Sequence, residues 1–527
     1  MRTHVAVIGG GPVGMLVASE LAAYGVDTVL LESEAGVSGR PKATTLHARA
    51  VQCLARRGHL PGPAAPYARA AAGRPFHFAG LPGLVITAPA REPEPILKCP
   101  QAELERHFET RARAAGARIL RGYRVTDVVE EDGGVRIEAA GPHRVPLLCL
   151  ARYVVGADGA RSTVRARAGI TSDTRPATVS ALMGAVTLTD PDALSEGWQR
   201  TPRGWITARR DPEGRTHIRT LNCTGAHPDR FAPPTLEELR REVSWIAGRD
   251  IAMQDPRWLG RFSDFTRLAR TFRAGGIFLA GDAAHVHFPI GGQGLSTGVL
   301  DALNLGWKLA LAVHGAAGAG LLDTYDPERR PVAQRVIDNT QAQLALMRPG
   351  PELDALRTLF SDLMAADREG GQHLGNMISA QDTVLSDHTA GPGPTGTFLR
   401  NVALTTATGE TDVITLLQEG KPLLLLFGEK DSGHRDEARA WGGTLKVVRA
   451  RAVADVPYEA VVVRPDGYLA WASGGGGLGE ALSVYFAKDV RAGVPHQAPG
   501  PPDQPAVPRL SGTSASARAS AAFSASA

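Results

Sequence analysis

His4-Val5-Ala6-Val7-Ile8-Gly9-Gly10-Gly11-Pro12-Val13-Gly14 opens the chain and decides its fold. His4 to Ile8 reads as a short buried strand, and Val13 to Tyr24 as a helix that begins directly after the glycines. Asp27 to Leu31 is a second strand, ending in Glu32. Strand, glycine turn, helix and strand make a βαβ unit, and such a unit implies a parallel sheet. Gly9, Gly11 and Gly14, with Pro12 among them, satisfy G-x-G-x-x-G. Residues without side chains permit the tight turn and let backbone N–H groups approach a pyrophosphate at the helix N-terminus. Glu32 stands where a carboxylate can accept hydrogen bonds from an adenosine ribose. The combination predicts dinucleotide binding and leaves open which dinucleotide.

With 527 residues the chain exceeds one ordinary core, so two or three domains are expected. A hydrophobic content of 43% and a charged content of 21% place it among soluble globular proteins. The net charge of +4 is mild and the basic residues are scattered, so no nucleic-acid partner is expected. Cys53, Cys99, Cys149 and Cys223 lie far apart without a Cys-x-x-Cys. They support neither a metal site nor a disulfide framework, and a reducing cytoplasm is the simplest compartment. Glycines and Glu20 interrupt the apolar N-terminus, unlike a signal peptide. No run of about 18 uncharged apolar residues occurs, so no membrane span is expected.

Further along, 44 to 57 and Gln101 to Ala115 read as helices, and 61 to 95 shows little periodicity. Strands are expected near 118 to 129 and 134 to 140 and from Tyr153 to Gly156. Short alternating runs at Ala181 to Leu188, Gly204 to Arg209 and Thr216 to Leu221 predict a separate mixed or antiparallel sheet, with a helix at Glu237 to Ile246. A buried strand returns at Gly276 to Ala280, with helices from Ser296 to about Val313 and Pro327 to Leu346. Pro392 and Pro394 among glycines mark a linker. Beyond it come strands near 422 to 427, 444 to 449 and 459 to 464, a hairpin turn at Asp466-Gly467 and a helix from Leu478 to Val490.

The expected fold class is therefore α/β. A Rossmann-type domain spans 1–175 and 273–390, a mainly β middle domain 176–272, and a small α/β domain 395–492. The Pro/Ala/Ser-rich stretch 493–527 is expected to be disordered.

Phe278-Leu279-Ala280-Gly281-Asp282-Ala283-Ala284-His285, continuing to Pro289-Ile290-Gly291-Gly292-Gln293-Gly294-Leu295-Ser296-Thr297-Gly298, narrows the choice of dinucleotide. A strand delivers Asp282, whose carboxylate suits a polyol such as the ribityl chain of a flavin. The glycine turn then leads into a helix beginning near Ser296, read as its N-cap, whose free N–H groups favour negative charge. A reduced flavin is anionic along its pyrimidine edge. FAD is the expected cofactor, with Pro289, Gly292, Gly294, Leu295 and Ser296 as its environment. His285 reads as structural more readily than as a proton carrier.

These motifs, with Gly156-Ala157-Asp158-Gly159-Ala160-Arg161-Ser162 between them and Asp301-Ala302-x-Asn304-Leu305-x-Trp307-Lys308-Leu309 after them, resemble the group A flavoprotein monooxygenases. These are the single-component aromatic hydroxylases of the para-hydroxybenzoate hydroxylase type, and the resemblance covers about residues 1 to 390. It implies that Asp158 contacts FAD and the pyridine nucleotide, that Gln101 is a flavin contact, and that Arg40 and Arg49 lie near the flavin. Ser296 stands where the family usually has Asn, Gly276 where it has Arg, Phe272 where it has Tyr, and Gln52 where Glu is common. Arg464-Pro465-Asp466-Gly467-Tyr468-Leu469-Ala470-Trp471 resembles the ending of the polyketide-tailoring hydroxylases, which implies a thioredoxin-like third domain. That domain has no cysteine here, so dithiol chemistry is excluded and a structural or subunit-contact role is expected.

The resemblance implies that NADPH or NADH reduces FAD. The reduced flavin then captures dioxygen as a C4a-hydroperoxide and hydroxylates a polycyclic aromatic phenol of polyketide type, in a monomer or homodimer. The general base is unassigned; His217 and His227 lie in the middle domain, where an ordinary packing or surface role is commoner. The alternatives are Baeyer–Villiger insertion or epoxidation on a related polyketide, a flavin reductase, or a binding protein that has lost its cofactor.

Overall fold

Strand Arg2–Ile8 lies between two parallel neighbours, Thr28–Glu32 and Pro146–Gly156. Ile277–Leu279 adds in parallel beyond Pro146–Gly156, and Arg118–Arg121 beyond Thr28–Glu32. The computed structural model describes residues 1–40, 42–60, 73–229, 231–366, 368–386, 394–427, 433–453 and 456–488. The expected tail and the part of the linker holding Pro392 lie outside them. Val5, Ala6 and Val7 have no exposure, as befits a parallel sheet covered on both faces. Helix Pro12–Ala23 packs against helices Gln101–Ala114 and Gly294–Val313.

A second sheet is antiparallel, in the order Gly197–Thr201, Gly204–Arg210, Thr216–Leu221, Ser180–Leu188, Met253–Ser263. Helix Leu236–Ala247 covers one face, where Leu239, Val243 and Ile246 meet Leu182, Ile206 and Ile218. The opposite face contributes Trp205 and Leu221 to a core shared with Phe78, Phe288 and Ile290. The C-terminal sheet pairs Leu423–Leu426 in parallel with Lys446–Ala452 and antiparallel with Ala460–Val463, which forms a hairpin with Leu469–Ala472. This is the thioredoxin-like arrangement, and Met1–Asp489 forms one compact unit. Among the described residues no helix is long and apolar enough to cross a membrane.

Several elements differ from the sequence expectation. Thr45–His47 is a strand paired with Ile96–Lys98, and the helix expected from 44 begins only at Ala48. Within the aperiodic stretch, Arg74–Phe78 and Leu81–Ile86 form a hairpin. Helices Asp354–Ala366 and Arg368–Ile378 were not anticipated. The last helix ends at Tyr485 instead of 490, because Phe486 turns extended and pairs with Ala317.

A buried ionic cluster fastens the C-terminal sheet. Arg464 donates to both oxygens of Glu328, each at 2.8 Å, and to Asp466. Lys308 donates to the same Glu328 at 2.8 Å, while Asn304 and Trp307 donate to Asp466. Every partner is buried, so removing one leaves an uncompensated charge. Arg464→Met is expected to destabilise the chain by about 3–5 kcal/mol, read as a lowered urea midpoint; an unchanged midpoint contradicts the clamp.

Candidate active site

The nucleotide end is built from backbone. Gly9 has φ +104°, and a Cβ on it would stand 2.4 Å from the carbonyl oxygen of Ala157, so only glycine fits. Gly11 is different: a Cβ there meets nothing within 4 Å. It is the N-cap of helix Pro12–Ala23, with Pro12 in the first turn and no side chain capping the free N–H groups. Open space before uncapped N–H donors is the cradle a pyrophosphate requires. The Glu32 carboxylate accepts from the Gly10 and Glu34 N–H groups, which pins it beside this loop.

Asp158 adjoins the same loop through Ala157. Its Oδ2 accepts from the N–H groups of Thr163 and Val164, at 2.7 and 3.1 Å, while Oδ1 is buried without a partner among the described residues. Burial pushes its carboxyl above the ordinary range. Arg165, from the same motif, donates to the Ala283 carbonyl at 2.7 Å and so ties this turn to the distant second segment.

That segment reaches the cleft because Ile277–Leu279 lies in the same sheet. Val13 of the glycine loop packs on Gly281 and Gly298; a Cβ on Gly298 would stand 2.6 Å from Val13 Cγ2. The two glycine segments therefore touch. Asp282 follows Gly281 and is open to solvent, yet the surrounding protein desolvates its carboxyl and raises its pKa, against the attraction of His285 and Lys42. An accessible carboxyl deep in protein marks a cleft wall.

Asp301 holds this turn. It accepts from the Gly281 N–H at 3.0 Å, pairs with His285 Nε2 at 2.7 Å and accepts from Arg329 Nε at 2.8 Å. Burial alone would raise its pKa, but Arg329 and His285 hold it at about 2. His285 is thus a buried structural partner.

Helix Gly294–Val313 starts two residues before the expected position, with Gln293 as N-cap. Ser296 is not the cap; its hydroxyl accepts from the His47 N–H at 2.9 Å. A hydroxyl at this site fastens strand Thr45–His47 to the helix. Pro289 is exposed, Gly292 and Gly294 are half-buried, and Leu295 is buried. His47 donates from Nε2 to the Gly291 carbonyl at 2.8 Å, leaving Nδ1 buried and unpartnered among the described residues. Burial brings its pKa to about 4, so the ring is neutral.

The remaining expected residues separate. Gln101 begins its helix and donates its N–H to Ala43, beside the loop that carries Lys42. Arg40 is exposed. Arg49 is committed to protein partners: it donates to Gln52, Ala380 and Gln381, and its guanidinium lies 3.6 Å from the Phe398 ring centroid. Gln52 accepts from Arg49 and donates to Gln381, a pair of roles that an ionised Glu cannot fill. Phe272 packs in the core against Tyr325, and the Gly276 N–H is taken by Glu130.

The other wall comes from residues the sequence reading missed. Phe262 of the antiparallel sheet lies 5.6 Å from Phe288. Trp205 donates from Nε1 to the Met347 carbonyl at 2.7 Å. Phe76 stacks on His77, and the His77 ring meets Trp198 at a 59° tilt with centroids 4.8 Å apart, where hairpin and sheet come together. Period-two alternation in the strands was the available signal, but it does not say which face meets the cleft. His217 is held by Asp211 at 3.1 Å, and His227 lies at the surface with its Nδ1 on the Asp229 carbonyl.

The open cradle at Gly11, the accessible Asp282 and the unpartnered Asp158 Oδ1 fit a dinucleotide with a polyol arm. Gly9–Gly14 and Glu32 would hold its adenosine diphosphate half, and Asp282 with Gly292–Ser296 its flavin half.

Two outcomes separate structure from binding. Gly11→Ala is expected to keep the thermal midpoint of the apoprotein while weakening FAD about tenfold or more, whereas Gly9→Ala lowers the midpoint itself. Fluorescence titration and thermal denaturation read the two; equal behaviour of both variants contradicts the assignment. Asp301 gives a pH signature. Its folded pKa of about 2 lies below the ordinary 3.8, so its stabilisation is complete above 3.8 and lost as pH falls towards 2. Asp301→Asn is expected to be less stable at neutral pH and to lack that part of the acid limb in a stability–pH profile.

Comparison with known proteins agrees with this geometry. Residues 2–340 match the family described as FAD binding domain, and residues 393–488 the one described as aromatic-ring hydroxylase, C-terminal. Rifampicin monooxygenase of Streptomyces venezuelae is 37% identical over 475 residues, spanning 89% of this chain and 95% of the relative. The 12-dehydrotetracycline 5-monooxygenase/anhydrotetracycline 6-monooxygenase of Streptomyces rimosus is 35% identical, spanning 92% of this chain and 99% of the relative. CabE, an aromatic hydroxylase from angucycline biosynthesis, has a crystal structure that superposes with a TM-score of 0.83 at 34% identity, over 92% of this chain and 99% of that one. The chain belongs to the FAD-dependent aromatic-ring hydroxylases, flavoprotein monooxygenases that carry the ring-hydroxylase C-terminal domain.

Proposed function

We propose that this enzyme uses NADPH or NADH and dioxygen to hydroxylate a polycyclic aromatic substrate of polyketide type. The observation that carries the reading is the contact of Val13 with Gly281 and Gly298, which joins the two glycine segments into one cradle beneath an aromatic-lined sheet. Bound FAD supplies the transfer of electrons from the nicotinamide to dioxygen. The chain's own residues supply the rest. Uncapped N–H groups at Gly11 bind the diphosphate, Asp282 orients the polyol arm, and the N-terminus of helix Gly294–Val313 favours negative charge on the ring system. Phe262, Phe288 and Trp205 exclude water from the space above.

Relatives named as monooxygenases of rifampicin, 12-dehydrotetracycline and anhydrotetracycline support a large multi-ring substrate over a single phenol. The four free cysteines, three of them buried, support a reducing cytoplasm.

The test follows NAD(P)H oxidation over a panel of polycyclic phenols under labelled dioxygen. A substrate is expected to accelerate flavin reduction and to gain one labelled oxygen atom, with little hydrogen peroxide released. Reduction without label in any product supports a reductase, and insertion of the oxygen into a ring supports the Baeyer–Villiger alternative. A purified protein that takes up no FAD would make it a binding protein.

A further inference from the structure

His47 ends the short strand Thr45–His47 and is wholly buried. Its backbone N–H is taken by the Ser296 hydroxyl, and its ring borders the turn of the second glycine segment. Nε2 bonds the Gly291 carbonyl at 2.8 Å, and a Cβ on Gly292 would stand 3.8 Å from the same nitrogen. The ring also meets Phe76 edge to face, with centroids 5.1 Å apart, and Phe76 begins the run of rings through His77 to Trp198. The imidazole therefore sits where the flavin segment joins the aromatic wall of hairpin and sheet.

The bond to Gly291 fixes the tautomer. A carbonyl oxygen only accepts, so Nε2 must carry a proton. In a neutral imidazole the second nitrogen is then a bare lone pair, and here that nitrogen is Nδ1. Burial keeps the ring neutral, and the charges of Lys98 and His77 act in the same direction. No donor among the described residues reaches Nδ1. Lys98 donates to the Thr45 hydroxyl at 2.8 Å, and His77 Nδ1 accepts from the Gly80 N–H at 3.3 Å. A buried acceptor without a donor opposes folding. Backbone and neighbouring rings hold this one in place at the junction of the two walls, so its donor arrives with a ligand.

Resting on the reading that an aromatic substrate lies between the flavin and this wall, we propose that His47 is a substrate-binding residue whose Nδ1 accepts the phenolic O–H of the ring to be hydroxylated. The half-buried Phe76 ring turns aside to admit it. A hydroxyl supplies the donor that a neutral imidazole lacks, whereas an ether or a bare C–H leaves Nδ1 unpaired. The group that activates the ring is thus also the group that is read. The Nε2 bond to Gly291 sets the angle at which the phenol meets the second glycine segment.

The experiment titrates the FAD holoenzyme, by perturbation of flavin absorbance, with two probe pairs below the pKa of each phenol. One is naphthol against naphthalene; the other is hydroxyanthraquinone, its hydroxyl remote from the carbonyls, against anthraquinone. In at least one pair the phenol is expected to bind about tenfold tighter than its parent. His47→Gln separates the two ring nitrogens, because a glutamine N–H can take the place of Nε2 on the Gly291 carbonyl while nothing replaces Nδ1. It is expected to keep the thermal midpoint, to hold the FAD Kd within about twofold, and to abolish the preference for the phenol. His47→Asn, whose amide oxygen can stand in for Nδ1, is expected to retain part of it. Equal binding within both pairs of the unaltered holoenzyme, including no binding of any probe, overturns the proposal without recourse to a variant. So does a preference that survives intact in His47→Gln. If FAD is instead weakened about tenfold in that variant with the preference unchanged, Nδ1 serves the imide N–H of the flavin and the proposal falls. Labelled oxygen entering a ring without a hydroxyl as readily as a phenol would sink this inference alone and leave the monooxygenase reading standing. A phenol preference in binding with no labelled product would do the reverse.

Discussion

The Asp301 carboxylate, buried in the middle of helix Gly294–Val313, receives the Gly281 N–H, His285 and Arg329. Through these three bonds it joins the turn after strand Ile277–Leu279, the short strand that follows, and helix Tyr325–Met347. Such a charge is tolerable in the interior only because it is fully partnered. Its geometric consequence is that Gly281 and Gly298 are held against Val13, closing the two glycine segments on one another. The position of Asp282 follows from that closure.

The same helix is gripped again one turn further on. Asn304, Trp307 and Lys308 reach Glu328 and Asp466, and Arg464 bridges those two carboxylates. The thioredoxin-like sheet, without any thiol, thus acts through buried charge on the helix that opens at the second glycine segment. Arg56 adds a second grip, donating to Glu92 and to the Leu399 carbonyl. Buried ionic clusters are demanding of geometry, and two of them fix how the C-terminal sheet meets the rest.

The two sides of the active site obey different physics. The cofactor side is made of backbone N–H groups and close approaches that only glycine permits, so side-chain identity matters little except at Glu32, Asp158 and Asp282. The exposed face of the antiparallel sheet is instead made of separate side chains, among them Trp198, Arg209, Arg219, Trp258 and Phe262, on strands that backbone pairing holds together. One fold can thereby keep its chemistry while changing what it accepts.

The sequence by itself determined the parallel βαβ start, the cofactor class and the alternation of the middle strands, because each is written in residues close together along the chain. Glycine spacing constrains a local turn, and apolar periodicity constrains a local element. Asp466-Gly467 was likewise legible as a turn, yet nothing local showed that the Asp466 side chain would be buried against Trp307. Thr45–His47 was mistaken for the start of a helix because its strand partner, Ile96–Lys98, lies far along the chain. Ser296 was read as a cap, and only the folded helix showed that its hydroxyl serves His47 instead. Tertiary structure alone decided that Arg49 faces Phe398, and that Arg209 and Arg219 lie on the sheet face they share with Trp205. Those relations depend on register and on which face of a sheet is covered, and strand alternation is symmetric with respect to both.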